Sequence, residues 1–365
     1  MVDMKNLKAL AIHSAKGTTP TNFSSENVND AFRGELSKLC GDYYEFMSNR
    51  YALYKLMTEV IDEIVPQKTI AELGMFAEIR TVGNGERAVF KRRIGKNRAK
   101  KFLTQVGING LYESFRLDSE EFTVNAHAIG GAATIDFQRM IDGAETLSEY
   151  MDIVNEGLLE AVYYEVQRAL IASFNAGQGT GSIKVGRAKT CVEANSFDAQ
   201  SMTGIINVVK SYGNGAVIFA TPEFVGEMEN AVAIVPGTSN YAGIYHPQDM
   251  DDIRNTGFIK MFRGTPVVQL RQSYTDDTHE KTWLNPQYAF VLPTNGEKIV
   301  KIVFEGPTYV RDWNNPDGSM EIHVEKKLGV SILADHNWGI YRNIGITSNQ
   351  ENPYGFFSDE ELGIN

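Results

Sequence analysis

The chain has 365 residues, 42 % of them hydrophobic and 22 % charged, with a formal net charge of −11. That length supports about two domains with a sizeable core, while the acidic balance argues against a protein that coats nucleic acid, because such binding is driven by Lys and Arg neutralising phosphates. No run of 18 or more apolar residues occurs, and Asp3 and Lys5 precede no signal-type apolar core, so membrane insertion and secretion are not expected and a cytoplasmic setting is.

In chain order, residues 1–24 are polar and rich in small residues, with Gly17-Thr18-Thr19-Pro20, and read as an extended or mobile arm that orders on assembly. A helical pattern follows over 25–65 (Val28, Phe32, Leu36, Leu39, then Tyr43, Met47, Tyr51, Tyr54), broken near Cys40-Gly41 and ended by Pro66. Its aromatic stripe reads as packing rather than as a binding site. Cys40 and Cys191 fall in no metal or redox spacing and read as reduced thiols.

Residues 74–131 form a basic, glycine-punctuated excursion. Strands over 77–82 and 87–94 bracket Gly83-Asn84-Gly85, whose tolerance of positive φ suits a turn. Phe122, Val124, Ala126 and Ala128 alternate with Glu121, Thr123, Asn125 and His127, the period-two signature of a half-buried strand that returns. Two strands alone are marginal in water, so a neighbouring subunit is expected to cover this arm. Arg87, Lys91, Arg92, Arg93, Lys96, Arg98, Lys100 and Lys101 crowd its outward course, with no acidic residue between Glu86 and Glu113. A solvated loop tip, pairing with a neighbour's acidic surface, and contact with nucleic acid are the readings of that cluster.

A long helix is expected over 142–176, with Leu147, Met151, Val154, Leu158, Val162, Val166, Ala169 and Leu170 on one buried stripe. At 1.5 Å per residue it would be roughly 50 Å long, a structural spine. Glu145, Glu149, Asp152, Glu156 and Glu160 recur on the opposite side as an acidic ridge that meets water or a cationic partner. Opposite charges suggest that this ridge and the basic arm interact, directly or through a scaffold.

Beyond the loop Gly177-Gln178-Gly179-Thr180-Gly181 a separate α+β unit spans 185–297: a helix marked by Met202, Ile205, Ile206 and Val209, a strand over 216–220, an N-cap at Thr221-Pro222-Glu223, and strands over 266–270 and 288–292. The last signal is a long antiparallel ribbon. Val300, Ile302 and Phe304 continue past Gly306-Pro307 to Tyr309, Asn314-Asn315-Pro316-Asp317-Gly318 supplies turn chemistry, and Ile322, Val324, Leu328, Val330 and Ile332 alternate with polar residues. Only Lys326 interrupts the apolar face.

No catalytic or metal-binding constellation emerges. The histidines at 13, 127, 246, 279, 323 and 336 show no HExxH spacing, and residues 177–184 follow a helix rather than a strand and lack the lysine of a phosphate loop. Asp251-Asp252 and Asp276-Asp277 are neighbours that diverge on a strand, the proline at 316 breaks a calcium-loop ligand order, and there is no GxSxG elbow.

The element order resembles the major capsid protein of tailed bacteriophages, the Hong Kong 97 fold. The likenesses are Thr134-Ile135-Asp136-Phe137 leading into Asp142-Gly143, the stretch Val217-Ile218-Phe219-Ala220-Thr221-Pro222, and Val324-Glu325-Lys326-Lys327-Leu328-Gly329-Val330. The resemblance implies an α+β capsid fold divided into an N-terminal arm and helical region (1–66), an extended β-hairpin loop (67–133), a peripheral-domain spine helix (134–184), an inserted axial domain (185–297), a peripheral-domain ribbon (298–345) and a C-terminal tail (346–365). It implies a non-enzymatic shell subunit without cofactor, located in the virion and assembled in the host cytoplasm. Hexamers and pentamers of it would enclose double-stranded DNA without sequence-specific binding and meet scaffolding, portal and decoration proteins. The interface candidates are the eight basic residues of the arm with Glu149, Asp152, Glu156 and Glu160 of the spine. Lys91, Lys96, Lys100 or Lys101 with Asn337 or Asn343 correspond in region to the family's isopeptide crosslink, which most members lack and which is not expected here. An encapsulin-type nanocompartment shell, and an enzyme with its site in the α+β unit, are the alternatives.

Overall fold

The computed structural model describes residues 4–16, 31–32, 34–35, 38, 43–93, 119–135, 147–176, 190–212, 215–232, 258–294, 298–314, 320–333 and 338–350. The architecture is α+β, with sheets of four, six and two strands among the described residues and helices on the two larger ones.

The N-terminal residues differ from expectation. Instead of an extended arm, Met4–Lys16 forms helix α1, because Leu7, Leu10 and Ala11 place one apolar face at three-and-four spacing; Leu7 and Ala11 are buried in the main core. Lys8 reaches Glu59 at 3.2 Å and Glu63 at 3.9 Å on the next helix. That helix, α2, spans Tyr43–Leu73 and does not stop at Pro66. A proline inside a helix costs about 3 kcal/mol, but Thr69 and Leu73 continue the buried face of Val65 beyond it, and the Thr69 hydroxyl donates to the Val65 carbonyl at 2.7 Å. Of the expected aromatic stripe, Tyr54 is buried and Met47 half-buried, whereas Tyr51 is 68 % exposed.

The excursion begins as β1 (Ala77–Val82), which runs parallel to the ribbon strand β10 (Val300–Asn314). After a turn with Gly85 at φ +80°, β2 (Val89–Arg93) pairs with β3 (Ser119–Thr123) in a two-stranded sheet of its own. The single returning strand expected around 121–128 is two strands. β3 ends at Thr123, and β4 (His127–Ile135) changes partner to β11 (Met320–Ile332). Val124, between them, turns into a small cluster with Ala88, Phe90 and Val303. The resulting four-stranded sheet has the order β1-β10-β11-β4.

Helix α3 (Leu147–Ala176) is the spine. Leu158, Val162, Val166 and Leu170 are buried as expected, but so are Leu159, Tyr164, Glu165 and Gln167. The helix is covered on two sides, because the segment before the last strands of the α+β unit packs against the face expected to be polar.

That unit contributes β5 (Cys191–Ala194), α4 (Ala199–Tyr212), β6 (Ala216–Ala220), α5 (Pro222–Val232), β7 (Met261–Phe262), β8 (Thr265–Gln269) and β9 (Tyr288–Pro293). Its sheet has the order β5-β12-β9-β6-β8-β7. The strand β12 (Gly339–Asn343) lies inside the block expected to be ribbon, 298–345, yet it inserts between β5 and β9. Both faces of the two central strands are covered. Val217, Phe219, Phe290 and Leu292 belong to the main core shared with α2 and α3, while Ala216, Ile218, Ala289 and Val291 join a second core with α4 and α5. This is why β6 reads as a continuous apolar run rather than an alternation.

Candidate assembly surfaces

The root of the two-stranded arm is a charged clamp around one aromatic ring. Phe90 on β2 is buried and stacks on Phe122 of β3 at a centroid distance of 5.7 Å. The Arg80 guanidinium lies 4.5 Å from the Phe90 ring centroid and the Lys301 ammonium 5.6 Å, distances at which the ring quadrupole attracts a cation. Glu78 holds both cations: its Oε2 is 2.5 Å from Lys301 Nζ and its Oε1 accepts from Arg80 Nη2 at 2.6 Å. Arg80 Nη1 also donates to the Val89 carbonyl at 2.8 Å, tying β1 to β2. Burial would raise the Glu78 pKa, but the hydrogen bonds from Lys301 and Arg80 outweigh it and hold this carboxyl below its ordinary value. The turn outside the clamp is fastened too: Asn84 Nδ2 donates to the Tyr309 hydroxyl at 2.8 Å and the Gly85 N–H to Glu305 Oε1 at 3.1 Å.

The expected basic cluster is partly neutralised within the arm. Lys91 pairs with Glu121 at 3.3 Å, and the same register sets Arg92 opposite Glu120 and Arg93 opposite Ser119. Arg87 is exposed. The side chains of Arg92 and Arg93, and Lys96, Arg98, Lys100 and Lys101 altogether, lie outside the described residues.

On the spine, Glu156 is exposed and meets a cation of its own chain, accepting from Arg271 Nη2 at 3.1 Å. Glu160 is half-buried, and its carbonyl accepts from Trp283 Nε1 at 2.9 Å. Glu149 and Asp152 fall within α3, but their side chains are not among those described. Gln167, unnoticed in the sequence, seats the spine on the α+β unit: its amide donates to the Asn285 carbonyl at 3.0 Å and accepts from the Asn285 N–H at 2.9 Å. Tyr163 donates to Glu72 of α2; burial, then that carboxylate, raises its phenol pKa.

A second exposed region lies where the first half of α2 meets the outer end of the ribbon. Arg50 pairs with Asp312 at 3.1 Å and lies 4.8 Å over the Tyr51 ring. Trp313 beside it is 65 % exposed. Burial, then the charge of Asp312, pushes the Tyr54 phenol up to about 12. Among the described residues no three His, Cys, Asp or Glu side chains gather as a metal site, and no helix is long and apolar enough to cross a membrane.

Arm, spine, inserted α+β unit and ribbon therefore follow one another in the order that the Hong Kong 97 resemblance implies. Solved structures similar to the chain include the mature capsid of bacteriophage PhiM1 (12 % identity, 74 % of this chain and 86 % of that one, TM-score 0.45). Two others are Microbacterium phage Oxtober96 (9 %, 75 % and 90 %, TM-score 0.48) and a virus-like particle from Pyrococcus furiosus (10 %, 80 % and 99 %, TM-score 0.44). No curated protein matches the sequence. The family model described as "SPbeta prophage-derived putative capsid protein YonB" matches residues 3–342. With nearly the whole chain matched, this protein belongs to that prophage capsid protein family.

Proposed function

We propose that the chain is the major shell subunit of a tailed phage or prophage head, forming hexamers and pentamers of an icosahedral shell around double-stranded DNA. The observation that carries this reading is the arm. β2 and β3 pair with no other strand among the described residues, and a lone two-stranded sheet is marginal in water, so a neighbouring copy supplies the missing cover. Membership of a prophage capsid family supports it.

Function then resides in interfaces of a few thousand Å² dominated by apolar contact, not in a catalytic centre or a cofactor. The interface candidates remain Arg87, Lys91, Arg92, Arg93, Lys96, Arg98, Lys100 and Lys101 on the arm, facing Glu149, Asp152, Glu156 and Glu160 on a neighbouring spine. Scaffolding, portal and decoration proteins are the further partners, DNA is held without sequence specificity, and assembly takes place in the host cytoplasm before the protein becomes part of the virion.

Electron microscopy of the expressed chain, alone and with its neighbouring phage head proteins, tests the reading. Closed shells, tubes or isolated hexamers are expected, and a stable monomer under every condition would overturn it. Nucleic acid rather than cargo protein inside purified shells separates a phage head from an encapsulin.

A further inference from the structure

Several residues out of keeping with their surroundings in the sequence meet at one point. Lys326 interrupts the apolar face of β11, Gly306 and Pro307 interrupt β10, and Pro66 interrupts α2. Asp62 stands four residues before Pro66, which has no N–H to give the Asp62 carbonyl. The register of the ribbon jumps between Glu305, opposite Lys327, and Tyr309, opposite Glu325, so three residues of β10 face Lys326 alone. Gly306 takes φ +68° within this bulge, a backbone conformation that glycine adopts without strain.

The Asp62 carboxylate serves both sides of the bulge. It accepts from the Thr308 N–H at 3.0 and 3.2 Å and from the Thr308 hydroxyl at 2.6 Å, and it pairs with the Lys326 ammonium. Thr308 and Lys326 are each 2 % exposed. Lys326 also lies 5.8 Å from the Phe304 ring centroid. A bulge bends its strand and leaves backbone groups outside the ladder, and a buried ammonium without a partner is costly. One carboxylate on a helix answers both. Apolar side chains in place of a buried ion pair are often neutral or stabilising, so stability alone does not account for the arrangement.

We propose that Asp62, Thr308 and Lys326 form a latch that fixes the angle at which the outer half of the ribbon, residues 309–314 and 320–325, leaves the body. The helix α2 thereby sets where exposed Trp313 sits on the surface, and the Arg50 to Asp312 pair steadies the same segment further out. The alternative is that Asp62 does no more than neutralise Lys326.

Hydrogen exchange on the full-length chain separates the two. The double variant Asp62→Leu with Lys326→Met removes the charge pair and the acceptor for Thr308. Exchange in 306–314 and 320–326 should quicken about tenfold, equivalent to about 1.4 kcal/mol of local opening, while 300–305 and 327–332 stay as in the parent. The variant Asp62→Asn with Lys326→Met keeps an acceptor for the Thr308 N–H and should stay within about threefold of the parent. Thr308→Val, which keeps the N–H but loses the hydroxyl, should quicken the same two segments by about threefold and decides the matter if the first variant does not fold. Unchanged exchange in the first variant, or in Thr308→Val, would overturn the latch. So would equal loosening in both double variants, or loosening spread evenly over the whole ribbon.

Discussion

The six-stranded sheet and the two-stranded arm come from one chain and solve the same problem in opposite ways. In the sheet, β6 and β9 are covered on both faces by the chain's own helices and by the main core. In the arm, β2 and β3 have each other and a root made of Phe90, Phe122, Ala88, Val124 and Val303. Elements that complete themselves resist change within one subunit, whereas the proposed contact with a second copy falls on the elements left incomplete. Mutations in the first should unfold the dispersed subunit, and mutations in the second should leave it folded and impair assembly.

The largest expected effect lies in the sheet. Phe290→Ala empties a position 1 % exposed in the main core and should cost about 3–5 kcal/mol in a denaturant melt of the dispersed subunit; a cost near that of a surface change would mean that the sheet does not hold the dispersed subunit together. Next is the clamp. Glu78→Gln leaves Lys301, 2 % exposed, without its carboxylate, and because Glu78 is itself about a third exposed the cost should be about 2–3 kcal/mol, below that of a fully buried pair. Its pKa is depressed in the fold, so the contribution is complete above the ordinary value of 4.5 and is lost as pH falls through the lower folded value. Acid melts of parent and variant should therefore begin to converge as pH falls below 4.5 and meet below the depressed folded value.

A smaller effect belongs to Asp198, which caps α4 by accepting from the Gln200 and Ser201 N–H groups at 3.0 Å each. The Ser201 hydroxyl and these N–H groups hold its carboxyl below the ordinary value, and Asp198→Ala should cost about 1 kcal/mol of subunit stability. Smallest is Lys91→Ala, which breaks an exposed pair and should change the melt by no more than about 0.5 kcal/mol. Reversing Arg92, Arg93 and Lys96 together should likewise spare the subunit but lower shell yield at low salt, where charge contacts between copies are least screened. Unaltered assembly would remove the acidic spine as the arm's partner.

Where the sequence carries a strong period, it was readable. The part of the spine's stripe from Leu158 to Leu170, the ribbon's alternation, the β6 run and the turn at Gly83-Asn84-Gly85 stand where expected, while the side chains of Leu147 and Met151 lie outside the described residues. What escaped depends on tertiary contacts. Pro66 suggested a stop, but the buried residues beyond it hold the helix together; Leu7, Leu10 and Ala11 make a stripe too short to stand out among polar neighbours. The change of partner at 124–126 has no local sign, and β12 joins a sheet whose other strands come from far earlier in the chain. Of the assembly surface, the basic strand was legible as composition, but its pairing with β3 required the register. Lys301 between Val300 and Ile302 sits where the ribbon's alternation puts a polar residue and carries no signal in the sequence; that it grips the arm's root follows only from bringing β1, β2 and β10 together.

In the proposed shell the arm is completed by a second copy, while the body completes itself. Hydrogen exchange compared between dispersed subunits and assembled shells tests it most directly. The amides of 89–93 and 119–123 should slow by at least about tenfold on assembly, while those of 216–220 and 288–293 should be protected in both states. Arm amides already as protected in the dispersed subunit as those of β6 and β9, with no change on assembly, would contradict the account.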